Sequence, residues 1–179
     1  MRIFIGIELP LKIKAVLYSL QKTVGNEFAK VNWVAKKNLH QTLKFLGSVD
    51  EKDIELVRKI LKELKFKKFV VSLDKVGWFP SDQRINVVWV SLRPEKEVMG
   101  LHGDIELKLG SLFEKEERFS VHVTLGRVKF VKDKKKFLDA LKNVKLPWES
   151  FTVKDFSLVK SELSKDGPKY SVLERYDLE

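Results

Sequence analysis

The stretch Val121-His122-Val123-Thr124-Leu125-Gly126-Arg127-Val128 predicts the β-strand around which the rest of the chain is organised. Its β-branched residues and its alternation of apolar with other residues are typical of a strand. Residues two apart in a strand point to the same side, so His122 and Thr124 share one face and apolar residues form the other. An imidazole beside a hydroxyl is suited to an anionic substrate, although a lone histidine on a strand is more often structural.

The same pattern occurs a second time. The stretch Leu39-His40-Gln41-Thr42-Leu43-Lys44-Phe45-Leu46-Gly47 repeats it, and His40 lies 82 residues before His122. The chain has three histidines, and two of them stand in a His-x-Thr-Leu context. The third, His102, lies in a predicted amphipathic helix without a threonine partner, and we expect it to be structural or exposed.

The repeated motif belongs to a longer internal duplication. Other residues keep the same offset of 82 positions: Ile3 with Ile85, and Phe69 with Phe151. The sequence therefore predicts two copies of the order strand, helix, strand, helix, strand, roughly over residues 1–82 and 83–164. A C-terminal hairpin strand comes next and extends to residue 179. We expect residues 1–179 to form a single bilobal domain whose similar halves pack about an approximate two-fold axis.

Local patterns predict where several elements begin and end. We expect a loop from Gly77 to Asp82, because glycine, proline, serine and aspartate cluster there. A helix is predicted from about Glu95 to Leu112, and one continuous strand from Phe151 to Val159. Asp133 is predicted to cap the helix that begins after it.

The composition is typical of a globular protein. Of the 179 residues, 44% are hydrophobic and 34% are charged, and no apolar run approaches the roughly 20 residues that a membrane span needs. The absence of cysteine excludes disulfides, thiolate catalysis and cysteine-ligated metals. The N-terminus begins with a predicted strand and not with a signal-peptide pattern, so we expect a cytoplasmic protein.

The net charge of +10 indicates a polyanionic partner, of which nucleic acid is the leading candidate. The alternative is a lysine- and glutamate-rich surface of the kind that heat-adapted proteins carry. Composition alone does not choose between the two.

The duplication has a consequence for mechanism. A two-fold axis would bring both His-x-Thr pairs to one anion from opposite sides, which is what in-line chemistry at phosphorus requires. One imidazole can deprotonate the nucleophile while the other protonates the leaving oxygen. A metal-dependent phosphodiesterase is less favoured, since no His-x-His, Asp-x-Asp or acidic cluster stands beside either histidine. We therefore expect no metal or other cofactor.

Together these motifs resemble the 2H phosphoesterase superfamily, and most closely its RNA 2′,3′-cyclic phosphodiesterase family, also called 2′-5′ RNA ligase or LigT-like. The resemblance covers nearly the whole chain. The stretches that carry it are Arg2 to Ile7, His40 to Gly47, Gly77 to Pro80, His122 to Leu125 with Arg127, Leu158 to Leu163, and Gly167 ahead of Tyr170. Ser120-Val121 stands where many members have a proline, and we expect little functional consequence.

The resemblance implies a bilobal α+β fold, in which two facing antiparallel sheets with helices outside enclose a central cleft. It also implies metal-independent hydrolysis of the 2′,3′-cyclic phosphate of an RNA end, such as a tRNA-like fragment, to a 2′-phosphate. In that mechanism His40 is the proton donor and His122 the proton acceptor, while Thr42 and Thr124 donate hydrogen bonds to the phosphate. We expect a monomer. The alternatives are 2′-5′ RNA ligation as the main activity and a non-catalytic module that binds RNA ends.

Further residues are candidates for binding substrate. Arg127 could pair with a phosphate oxygen, but strict alternation places it on the face opposite His122 unless the strand twists at Gly126. Lys44 lies four residues after His40 and is therefore expected on the same face of the strand, although it could be an ordinary solvated charge. Tyr170 could stack on a base, as could the aromatic pair Trp78 and Phe79, whereas core packing is the competing role for at least two of these three.

Overall fold

The computed structural model describes all 179 residues and contains four α-helices, nine β-strands and a short 3₁₀ helix at Lys36–Asn38. The helices are α1 (Leu11–Val24), α2 (Glu51–Lys62), α3 (Glu95–Leu109) and α4 (Lys134–Asn143). The strands are β1 (Arg2–Glu8), β2 (Ala29–Trp33), β3 (His40–Ser48), β4 (Phe69–Pro80), β5 (Ile85–Arg93), β6 (Val123–Val131), β7 (Ser150–Val153), β8 (Asp155–Ser164) and β9 (Gly167–Asp177). As predicted, the Asp133 side chain caps α4 by accepting a hydrogen bond from the Lys136 backbone N at 3.1 Å. None of the four helices is long and apolar enough to cross a lipid bilayer.

Antiparallel pairing arranges the strands in the order β7-β4-β5-β6-β3-β1-β8-β9, and β2 also pairs with β6. The link between β3 and β6 is a single residue pair, Gln41 with Val123. The α+β prediction with two antiparallel sheets is confirmed, with the addition that the sheets are joined at this pair. We call β3, β1, β8 and β9 with α2 and α3 the first lobe, and β2, β6, β5, β4 and β7 with α1 and α4 the second lobe.

The two lobes do not coincide with the two sequence repeats, because each repeat contributes strands and helices to both lobes. Strand β4 of the first repeat pairs with β5 of the second, and β8 of the second repeat pairs with β1 of the first. The helices exchange as well, since α1 contacts β6 and α3 contacts β3. The repeats therefore interlock.

Three predicted boundaries are wrong. The stretch from Gly77 to Pro80 continues β4 and pairs with β5, where Gly77 leaves space for the Trp89 indole that a Cβ atom would obstruct. The single strand predicted from Phe151 to Val159 is two strands, β7 and β8, which pair in different lobes. Helix α3 ends at Leu109 and not at Leu112.

Candidate active site

The pairing of Gln41 with Val123 decides which side chains line the cleft. Both are fully buried, at 0% exposure. Neighbours along a strand point to the opposite face, so His40 and Thr42 flank Gln41 on the other side of the sheet. His122 and Thr124 flank Val123 in the same way. All four are partly exposed, and the structure therefore brings both His-x-Thr pairs to one open face where the lobes meet.

The His40 ring is held by two hydrogen bonds. Its Nδ1 lies 2.6 Å from the Asn38 carbonyl oxygen, and its Nε2 lies 2.9 Å from Thr42 Oγ1. A carbonyl only accepts, so Nδ1 carries a proton and donates. In the neutral ring Nε2 is then the unprotonated nitrogen, which leaves this atom to take up or release a proton.

The His122 ring is held in the equivalent way. Its Nδ1 donates to the carbonyl oxygen of Ser120 at 2.9 Å. Asn38 and Ser120 are themselves 82 residues apart, so the two halves of the duplication fix the same tautomer by the same backbone contact. The Nε2 atoms of both histidines are thus the nitrogens that can take up or release a proton.

A β-bulge comes after the histidine motif in each repeat. On β3, Thr42 and Lys44 pair with the consecutive residues Gly6 and Ile5 of β1, so Leu43 is an extra residue. An extra residue reverses the alternation of faces beyond it. Lys44 therefore points away from the cleft, although simple parity placed it beside His40.

Lys44 is not positioned to bind substrate, and that prediction is wrong. Its side chain is 1% exposed, and its Nζ lies 2.6 Å from Glu106 Oε1 and 2.9 Å from the Glu114 carbonyl oxygen. This buried ion pair stands on the helix side of β3, with His102 nearby. His102 is buried, donates from Nδ1 to the Leu43 carbonyl at 2.7 Å, and stacks on Phe119 with 3.7 Å between ring centres.

The same reversal on β6 has the opposite effect on Arg127. Thr124 and Gly126 pair with the consecutive residues Trp89 and Val88 of β5, so Leu125 is the extra residue. Beyond it, Arg127 returns to the face of Thr124. Arg127 is exposed and takes part in none of the ion pairs of the structure.

Aromatic rings surround each histidine. Phe4 stacks on His40 with 4.7 Å between ring centres, and Tyr170 meets the same imidazole edge-on at 5.4 Å. The rings beside His122 are Phe79 at 5.2 Å and Trp89 at 6.2 Å. The Trp78 indole is not among the rings beside either histidine, and its Nε1 donates to Asp82 Oδ1 at 2.8 Å. Sequence reasoning missed Phe4 and Trp89, which the register of β1 and β5 with the histidine strands places here.

Burial changes the protonation of both histidines. It lowers the pKa of His40, against a raising effect of the Asn38 carbonyl, while the charges of Lys14 and His122 lower it further. Burial likewise lowers the pKa of His122, opposed by the Ser120 carbonyl and reinforced by the Arg127 guanidinium. The charge of Arg127 also opposes the burial that raises the pKa of Tyr170, so this cation acts on groups of both lobes.

The potential metal ligands of the chain lie away from this cleft. His102, Glu106 and Glu116 have ligand atoms within 4.8 Å of one another. They stand on the helix side of β3 with the Lys44 ammonium, which already neutralises Glu106. The open face beside His40 and His122 instead offers two imidazole nitrogens, two hydroxyls and a guanidinium, a set suited to a phosphate group.

A family model described as LigT like Phosphoesterase matches the chain twice, over residues 7–89 and 90–170. This chain belongs to the LigT-like phosphoesterase family. The resemblance inferred from the two His-x-Thr motifs is thereby confirmed, and the LigT-like match in two consecutive copies agrees with the duplication at an offset of 82.

Full-length relatives of this LigT-like chain are found in archaea and bacteria. A Methanocaldococcus jannaschii protein named RNA 2′,3′-cyclic phosphodiesterase is 33% identical over 98% of this chain and 100% of its own length. An Archaeoglobus fulgidus protein of the same name is 33% identical, with coverage of 99% and 100%. Among solved structures, TT0787 of Thermus thermophilus matches with a TM-score of 0.83, 26% identity, and 99% and 97% coverage. Escherichia coli LigT complexed with 3′-AMP matches with a TM-score of 0.79, 26% identity, and 99% and 97% coverage.

Proposed function

We propose that this protein is an RNA 2′,3′-cyclic phosphodiesterase, which hydrolyses the cyclic phosphate at an RNA end to a 2′-phosphomonoester. The observation that carries the proposal is the pairing of Gln41 with Val123, because it sets an imidazole and a hydroxyl from each repeat on one open face. The names of the full-length archaeal relatives support the same activity. The net charge of +10 suits an RNA partner.

The proposed chemistry is one in-line displacement. The oxygen of a water molecule attacks phosphorus while His122 Nε2 takes up its proton. The bond from phosphorus to the 3′ oxygen breaks on the opposite side, and His40 Nε2 gives its proton to that oxygen. The products are a 2′-phosphate and a free 3′-hydroxyl, and the two histidines have exchanged protonation states. Solvent must return them to the starting state before the next turnover.

The remaining polar groups stabilise charge on the phosphate. Thr42 and Thr124 donate hydrogen bonds to its non-bridging oxygens, and Arg127 neutralises it from the second lobe. Donors placed in advance where negative charge develops favour the transition state over the ground state. Both motifs come from one chain, so the site is complete in a monomer, and no metal ion is needed for any step. We place this activity in the cytoplasm.

The test is incubation of an oligoribonucleotide ending in a 2′,3′-cyclic phosphate with the protein in excess EDTA. We expect a 2′-phosphate product, at a rate that added magnesium or manganese does not raise. Tight binding of the oligonucleotide without turnover would indicate an RNA-end binding module. Loss of activity in EDTA with recovery on a divalent ion would overturn the metal-independent mechanism, and joining of added 5′-hydroxyl RNA faster than hydrolysis would make ligation the main activity.

A further inference from the structure

Asn38 contacts His40 through its backbone and the C-terminal hairpin through its side chain. Its carbonyl oxygen accepts from His40 Nδ1 at 2.6 Å, and its Nδ2 donates to the Pro168 carbonyl oxygen at 2.7 Å, across 130 positions of the chain. Asn38 is only 6% exposed, and a buried amide normally has such a partner. One buried side chain therefore links the proton donor of the proposed reaction to the last strand of the fold.

The hairpin also reaches the His40 ring directly. Tyr170 lies on β9 two residues after Pro168, and its ring meets the imidazole edge-on with 5.4 Å between ring centres. Tyr170 contacts Phe4 as well, at 5.0 Å, and Phe4 stacks on the imidazole at 4.7 Å. The imidazole is thus held by Phe4, by Tyr170 and by the Asn38 carbonyl, and the last two depend on where β9 lies.

The second histidine has no such link. The residue equivalent to Asn38 at the offset of 82 is Ser120, which is exposed and has no amide to donate. Strand β9 lies beyond the two repeats, the second of which ends near residue 164. His122 therefore has the same contact with a backbone carbonyl, whereas the contact with the hairpin is particular to the His40 side.

The link matters because the carbonyl that holds Nδ1 must stay in place. As long as Nδ1 donates to it, Nε2 is the nitrogen that exchanges the catalytic proton. Asn38 ends a 3₁₀ helix of only three residues, and such helices have poorer hydrogen-bond geometry than α-helices. The segment before His40 therefore depends on the amide contact, and a displacement of about 1 Å at a catalytic group can cost on the order of 10²-fold in rate.

We propose that Asn38 is a positioning residue for the proton donor of the reaction. Its side chain, bound to the hairpin at Pro168, fixes the carbonyl that keeps His40 Nδ1 protonated and so leaves Nε2 to protonate the leaving oxygen. The hairpin thereby takes part in catalysis without touching the reacting atoms through this contact. The inference rests on the proposed function, since it takes the role of His40 as the acid from it.

The experiment removes the amide and keeps the backbone carbonyl. Asn38→Ala is compared with Asn26→Ala, because Asn26 Oδ1 accepts from the Val31 backbone N at 2.7 Å and this control also loses one bond between an asparagine and the backbone. Both variants are assayed on an RNA 2′,3′-cyclic phosphate and on a 4-nitrophenyl phosphodiester, whose leaving group departs without a proton. Thermal melts first show that they are folded. Asn38→Ser, which removes less of the side chain, takes the same assays if the alanine variant does not fold.

We expect Asn38→Ala to lower kcat on the cyclic phosphate roughly 10- to 100-fold, because the acid is misplaced. Its KM and its rate on the activated ester should stay within about threefold of the wild type, since neither depends on the acid proton. Asn26→Ala should change no rate by more than about twofold. Equal losses on the two substrates would show a merely structural residue and overturn the inference, as would an unchanged kcat on the cyclic phosphate.

A measurement of the ring itself separates failure of the inference from failure of the function. The NMR shifts of the ring nitrogens report which nitrogen of a neutral imidazole carries the proton, and His40→Ala assigns the His40 signals. We expect the Nδ1–H form in the wild type and in Asn26→Ala, and a mixture with the Nε2–H form in Asn38→Ala. If that change occurs in a protein that does not cleave the cyclic phosphate, the amide holds the ring and the proposed reaction is wrong. If Asn38→Ala keeps the Nδ1–H form alone, the amide does not hold the ring and the inference is wrong, whatever the activity.

Discussion

The carbonyl oxygens of Leu43 and Leu125, 82 residues apart, each accept a hydrogen bond from a buried side chain of the helix that crosses from the other repeat. His102 of α3 donates to the first at 2.7 Å, and Gln21 of α1 donates to the second at 2.8 Å. Both carbonyls belong to the extra residues of the β-bulges. The exchanged helices thus donate to the carbonyls of both bulges, and the Leu125 carbonyl also accepts from the Val34 backbone N at 2.8 Å.

Gln21→Leu should destabilise the fold. Gln21 Nε2 donates to the carbonyls of Leu125 and Val34, and an apolar leucine removes both of these hydrogen bonds. We expect the free energy of unfolding to fall by about 1–3 kcal/mol, measured by chemical denaturation. Thr23→Ala on the exposed face of the same helix is the control and should change stability by less than about 0.5 kcal/mol. Equal effects of the two changes would contradict this role for Gln21.

Lys44 should matter for stability and not for catalysis. Lys44→Met leaves the Glu106 carboxylate buried without its cation, which typically costs about 3–5 kcal/mol. The double variant Lys44→Met with Glu106→Leu removes both charges and should recover most of that loss. For both proteins we expect kcat/KM at 25 °C to remain within about threefold of the wild type, provided that they are folded. A rise in KM without loss of stability in Lys44→Met would instead indicate that Lys44 binds substrate.

Arg127 should contribute to binding the phosphate. Arg127→Ala removes a charge-assisted contact of about 1.5–3 kcal/mol, so kcat/KM should fall roughly 10- to 100-fold. Arg127→Lys keeps the charge and should lose less. Arg93→Ala is the matched control, since Arg93 is an exposed strand residue paired only with Asp74 at 3.6 Å. An Arg127→Ala protein as active as this control would exclude the contact.

The two histidines should respond differently to the leaving group. Replacing either with alanine should slow cleavage of the natural cyclic phosphate by roughly 10²–10⁴-fold. An ester with an activated leaving group needs no acid, so it should restore much of the rate to His40→Ala and little to His122→Ala. The reverse pattern would exchange the two roles. Full activity of both variants on the natural substrate would rule out the two-histidine mechanism.

The lowered histidine pKa values fix where the pH optimum lies. The base must be neutral and the acid protonated, and burial lowers the pKa of both imidazoles below the ordinary 6.5. The maximum of kcat/KM, which reports the free enzyme, should therefore lie on the acidic side of 6.5 and decline as pH rises through neutrality. Bound phosphate favours imidazolium, so the kcat profile should be displaced to higher pH. A kcat/KM that rises from pH 7 to 8 would be incompatible with these shifts. The two apparent pKa values of the measured pH profile belong to the pair of histidines and not to either one alone.

Sequence patterns predicted which face of the strand the residues of the two His-x-Thr motifs occupy. They did not predict the faces of the strand residues beyond the motifs. Alternation correctly placed His40 with Thr42 and His122 with Thr124, because neither pair spans a bulge. It misplaced Lys44, and placed Arg127 on the wrong face, because the extra residues at Leu43 and Leu125 reverse the parity. Leucine carries no signal of a bulge, and only Gly126 hinted at one.

The pairing of strands that are distant along the chain also could not be predicted from the sequence. The pairing of Gln41 with Val123 joins strands 82 residues apart, and its cause lies in the packing of both lobes. The break at Lys154 between β7 and β8 was missed because both pieces are apolar and alternate. Their different lobes could be recognised only from the pairing itself.

The interlocking of the repeats has an evolutionary consequence. A chain of half this length would carry one His-x-Thr motif and a third strand without a partner in its own lobe. Two such chains that exchanged this strand would rebuild both lobes and place one motif from each on the shared cleft, as a symmetric homodimer. Fusion of the two copies removes the symmetry requirement, since each position is then encoded twice. The first copy is then free to keep Gly6 opposite Thr42 while the second has Trp89 opposite Thr124, and a symmetric ancestor becomes an enzyme whose two sides differ.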